Sequence, residues 1–123
     1  MEFTAKQLTA LIKMGFVMAA ADEKIVDEEK AIITLGMLEF GLGADDITLC
    51  IKAAENMDSF EALSVLAAMN NEQKKYATGF LAAVMVADDE KADSEIKMWR
   101  LISTIAHFPT MTLGEALSFW RNN

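Results

Sequence analysis

Apolar residues recur at helical spacing along almost the whole chain. Leu8, Leu11, Ile12, Gly15, Phe16 and Ala19 fall on one face of a helix expected from Ala5 to about Ala21. Tyr76, Phe80, Ala83, Val84 and Ala87 do the same for a helix from Asn71 to about Ala87. Further helices follow from caps and stops. One starts near Asp27 and ends at Gly41-Leu42-Gly43, where glycine takes the left-handed stop conformation. Others are expected over 45–56 and 59–69, from near Ser94 to His107, and over 113–120, with Pro109 preventing continuation of the sixth. Alternation of period two never persists long enough for a strand. The pattern predicts an all-α fold, a compact bundle of about seven helices.

The helix starts carry a specific chemical signature. A polar cap followed three residues later by Glu or Gln satisfies two orphan N–H groups reciprocally. Thr4 with Gln7, Asp58 with Glu61, Asn70 with Gln73, and Thr112 with Glu115 all have this spacing.

A chain of 123 residues fits one domain, taken as residues 1–123, and buries enough surface for an ordinary core. Its 53% hydrophobic content argues against disorder, and one proline and six glycines favour long helices. The formal net charge of −8, without clustered Lys or Arg, disfavours nucleic-acid binding and suits cations or basic protein surfaces. The single cysteine, Cys50, excludes an internal disulfide framework. Lys13 interrupts the stretch from Leu8 to Ala21, unlike a signal-peptide core, and no apolar run is long enough to span a bilayer. A cytoplasmic protein without membrane insertion is expected.

One internal repeat stands out. A shift of 66 residues sets 21–29 beside 87–95, and Ala, Asp, Asp and Glu coincide at the first, second, seventh and ninth places. Each copy follows a long apolar helix and precedes another helix, as in a duplicated helix-loop-helix element. A shift of 67 also scores, pairing Val17-Met18 with Val84-Met85 and Glu28 with Glu95. Both registers are compatible with the sequence.

Hard divalent cations need several oxygen ligands converging from a constrained backbone. Asp22 with Glu29, and Asp88 with Glu95, place an Asp after one helix and a Glu in the first turn of the next, seven residues on. Glu23, Asp27, Asp89 and Asp93 add nearby oxygens and repulsion that a cation would relieve. A calcium EF-hand is excluded, since the span is too short and no glycine lies inside either segment. The structural alternative is that these carboxylates only cap helices and oppose their dipoles.

With these residues in view, the chain resembles the TerB-like tellurite-resistance family. That family carries Ala-Asp-Gly-x-Ile, with Glu seven residues after the Asp, once near each end of a compact helical domain. Ala21-Asp22-Glu23-Lys24-Ile25 with Glu29 is similar to the first copy, and Ala87-Asp88-Asp89-Glu90-Lys91 with Glu95 to the second. Glu23 and Asp89 stand where the family has glycine, and Lys91 where it has an apolar residue. The resemblance covers roughly residues 5–108. It implies a seven-helix fold, a role in bacterial stress or ion-linked complexes, and Asp22, Glu29, Asp88 and Glu95 as metal ligands.

The remaining chemistry is sparse. Cys50 lies among Ile47, Leu49 and Ile51 and reads as a small buried hydrophobe. His107, the one histidine, falls at a helix C-terminus, where partial positive charge is favourable. The nine methionines are scattered and read as core filling, while Trp99 and Trp120 read as core and edge packing. No phosphate loop or dinucleotide fingerprint is present. The expectation is a non-enzymatic binding module whose acidic loops take a divalent cation, of unspecified identity, or a basic protein partner. The competing expectation is a scaffold that uses an apolar surface, or the Trp120 end, with the acidic residues serving as caps.

Overall fold

The computed structural model describes residues 3–19, 27–86 and 93–122. Among them run seven helices and no strand: α1 (Ala5–Ala19), α2 (Asp27–Glu39), α3 (Ala44–Asn56), α4 (Ser59–Ala67), α5 (Asn71–Val86), α6 (Asp93–Ile105) and α7 (Leu113–Asn122). All four expected caps form. Thr4 N donates to Gln7 Oε1 at 2.8 Å while Gln7 N donates to Thr4 Oγ1 at 3.1 Å. Asn70 with Gln73 and Thr112 with Glu115 close the same reciprocal box. Asp58 Oδ2 accepts from Phe60 N and Glu61 N, and Glu61 turns instead to Lys6, 3.6 Å away.

The structure selects one register for the repeat. α2 and α6 have the same length and begin 66 residues apart, as do the boxes that start α1 and α5; Gln73 Nε2, at that same separation, donates to Gln7 Oε1. Both second helices also end alike. Leu42 N reaches back to Met37 O, and Phe108 N to Ser103 O, around a left-handed residue at Gly41 (φ 92°) and at His107 (φ 55°). This is the Schellman stop, which satisfies carbonyls that the helix leaves orphaned. The molecule is therefore two three-helix units, α1–α3 and α5–α7, joined by α4.

α1 and α5 form the centre. Gln7 touches Gln73, and a Cβ placed on Gly15 would lie 3.8 Å from Phe80 Cε2. Eight residues of helix span about 12 Å, so two contacts advancing in the same sense require the helices to run side by side in parallel. α2 and α6 each touch both central helices, α3 lies on α1, and α7 lies on α5. The one-face reading of the central helices is accordingly too narrow. Lys74 and every residue from Ala77 to Met85 are buried, as are Thr9, Ala10 and Met14 on α1, because neighbours cover these helices on nearly all sides.

Phe80 is the hub, fully buried and in edge contact with Trp120 at 5.7 Å. Its ring occupies the space beside Gly36, where an added Cβ would come within 2.4 Å of Cε1. Trp99 belongs to the core and donates through Nε1 to Thr78 O at 3.3 Å. Trp120 is partly buried against Phe40 and Phe80, so it is packing at the edge and not an exposed anchor. Cys50 is buried.

Candidate functional site

The parallel α1–α5 pair fixes where the acidic segments are anchored. α2 runs against α1, since Ile33 faces Gly15 while Phe40 stacks on Phe3 at 4.7 Å. α6 repeats this arrangement against α5, with Trp99 on Thr78. The C-termini of α1 and α5 and the N-termini of α2 and α6 thus lie at one end of the molecule. Met18 and Met85, in the last turns of α1 and α5, are fully buried there.

The charge of the protein is concentrated at the same place in the sequence. Residues 22–29 and 88–95 each hold five carboxylates and one lysine, ten of the 19 acidic residues and two of the 11 basic ones. The rest of the chain carries nine of each, so the whole net charge of −8 belongs to these two segments. Two helix N-termini, each with the positive end of a helix dipole, favour anionic residues there.

Of the four expected ligands, Asp22 and Asp88 lie outside the described residues. Glu29 falls in the first turn of α2, with its side chain likewise outside the description. Glu95 is described. It sits in the first turn of α6 and is 1% exposed, one of the largest fully buried side chains of the protein. A carboxylate withdrawn from water costs several kcal/mol unless hydrogen bonds, an opposite charge or a metal compensate it. Sequence spacing picked out Glu95 as a first-turn acid and gave no sign of its burial. Among the described residues, no group of three or more His, Cys, Asp or Glu converges to hold a metal. Also among them, no helix is long and apolar enough to cross a membrane.

Glu115 has a shifted carboxyl. The Thr112 backbone N–H and then the Thr112 hydroxyl group hold its pKa below the ordinary value of 4.5. This is the electrostatic trace of the capping box at the start of α7.

No family model and no curated protein matches the chain. A solved structure does: that of PG1108, a protein of unknown function from Porphyromonas gingivalis W83, superposes with a TM-score of 0.89 at 38% sequence identity. The match covers 99% of this chain and 92% of that one. Identity at this level over nearly the full length of both proteins reaches well beyond shared architecture, and the chain belongs to the same family as this Porphyromonas protein.

Proposed function

We propose that this protein is a non-enzymatic binding module of TerB-like type, whose two acidic segments act together on a divalent cation. The observation that carries this reading is the placement of the charge. All of the net −8 resides in two repeated segments, and the helices that precede them, α1 and α5, run side by side in parallel. Like charges gathered this way repel, and a hard cation converts that repulsion into binding by taking oxygens from both copies. Asp22, Glu29, Asp88 and Glu95 are the proposed ligands, with the buried Glu95 supplying a carboxylate already removed from bulk water. A basic protein patch is the other occupant this charge would attract, in keeping with the stress-response complexes that the TerB-like resemblance implies.

Thermal unfolding of metal-stripped protein with calcium, magnesium, manganese or zinc tests the reading. An ion at about a hundred times its dissociation constant stabilises a fold by ~2.7 kcal/mol, several degrees for a domain of this size. The shift is expected with the native protein and absent from the Asp22→Asn, Asp88→Asn double variant. An equal shift in both, or none with any ion, would sink cation binding at these segments.

A second reading has its own support. Leu35 on α2 and Leu101 on α6 occupy equivalent positions in the repeat, and each is half-exposed, at 52% and 51%. Apolar side chains duplicated on two outer faces suit a scaffold that contacts partners there, with the acidic residues as caps. Partner capture that survives the Asp→Asn changes but fails in a Leu35→Ser, Leu101→Ser variant would favour it.

A further inference from the structure

The two units differ at one corner, and that difference opens a groove. α3 begins at Ala44 immediately after the Gly43 cap, but Pro109 stands at the equivalent point of the second unit. Proline disfavours helix for the residue before it, and Thr112 supplies a new cap three residues later. α7 therefore starts at Leu113, opposite Ile47, one turn into the α3 equivalent. α2 packs on α3, whereas α6 and α7 make no comparable contact. The space left between α5, α6 and the 106–112 connection has a volume of ≈ 900 Å³, within the range of small-molecule sites.

The walls of this groove have a definite chemistry. Trp99 and Phe108 give it an apolar side, and Arg100 and His107 stand at its border. Four of its other donors are already used. Trp99 Nε1 donates to Thr78 O, Thr78 Oγ1 to Lys74 O, Ser103 Oγ to Trp99 O, and Thr104 Oγ1 to Arg100 O. Neither the Arg100 guanidinium nor the His107 imidazole is engaged by a described residue, and both residues are exposed. Glu115 also borders the groove, with one oxygen committed to Thr112 N. The first unit carries Thr34 and Gly41 at the positions equivalent to Arg100 and His107. His107 moreover holds a left-handed conformation in which its counterpart is glycine. A side chain kept at a strained position beside a cavity points to a use for that side chain.

We propose that the α5–α6–α7 groove binds an amphipathic organic monocarboxylate, its apolar body against Trp99 and Phe108 and its carboxylate on Arg100 and His107. Arg100 and His107 present unengaged donors, which fits a carboxylate, and Trp99 and Phe108 suit an apolar body.

Decanoate is the probe and 1-decanol its uncharged control. The chain has one histidine, so the imidazole C2–H signal of His107 can be followed by NMR without assignment. Decanoate is expected to shift that signal saturably. Arg100→Gln changes an exposed side chain and should weaken decanoate by about ten-fold while leaving the melting temperature unchanged. Absence of saturable binding, equal affinity for 1-decanol, or undiminished binding by Arg100→Gln would each overturn the proposal.

Discussion

The corner between α2 and α3 and the corner between α6 and α7 share one plan and reach different outcomes. Both begin with a Schellman stop, around Gly41 and around His107, and the apolar register continues across each. Ile47, Cys50, Ile51 and Ala54 are matched by Leu113, Ala116, Leu117 and Trp120. What differs is a single turn: helical over 44–46 in the first unit, non-helical over 110–112 in the second. A duplicated fold can thus acquire a groove without changing its packing register, by moving one helix start.

The largest effects are expected where the units cross at the centre. Phe80→Ala should cost about 3–5 kcal/mol, since it empties a fully buried ring site. Gly36→Ala should cost about 1–3 kcal/mol by overpacking, because the ring it meets at 2.4 Å is buried and cannot swing aside. At the equivalent position of α6 the relation inverts: Ile102, 2% exposed, loses stability when made smaller. Urea unfolding of Gly36→Ala alone and with Phe80→Leu separates these contributions. Partial recovery in the double variant is expected, and simple additivity would contradict the contact.

The sequence displayed the parts of this comparison that are local. Helices and caps were legible because a Thr, Asn or Asp with Gln or Glu three residues on acts within a single turn. The Asp88 and Glu95 spacing was visible for the same reason. The register was not, because shifts of 66 and 67 both align an acidic stretch, and only a contact such as Gln7–Gln73 tells them apart. Nor was the burial of Glu95, or of α5 on nearly every side, since both depend on what packs against a helix from elsewhere in the chain. Pro109 marks a stop in the sequence; that it also removes the first turn of the next helix, and so opens a groove, emerges only beside the first unit.

An exchange of corners tests that comparison directly. Giving the second unit the sequence of the first, by Pro109→Gly, Thr110→Ala, Met111→Asp and Thr112→Asp, should extend α7 by about one turn. Circular dichroism would report the added helix, and the His107 signal would no longer respond to decanoate. Unchanged helicity would mean that Pro109 does not set the difference between the units.

A smaller effect lies in the two stops. His107→Gly should stabilise the protein by ~0.5–1 kcal/mol, and Gly41→Ala should destabilise it by a similar amount, because only glycine adopts positive φ without a Cβ penalty. Urea midpoints at constant slope would show the opposite signs. His107→Gly should also weaken decanoate, so stability and binding would move in opposite directions at one residue.

The smallest effect is a matter of pH. The boxes at α1 and α5 close with Gln7 and Gln73, which do not titrate, whereas that of α7 closes with Glu115. Hydrogen bonds from the Thr112 backbone and hydroxyl lower the Glu115 pKa from 4.5 in the folded state. A depressed carboxyl pKa contributes stability that is fully present above the unfolded value and is lost as the pH falls through the folded one. The α7 start should therefore loosen in acid while the α1 and α5 starts hold. Followed by the Glu115 side-chain carboxyl resonance, the pKa should return toward 4.5 in Thr112→Ala, where the hydroxyl contact is gone. Amide exchange at the α7 start should lose its acid dependence in Glu115→Gln, which gives that box the same chemistry as the other two. Equal acid sensitivity at all three helix starts would show that global unfolding, not this cap, governs the response.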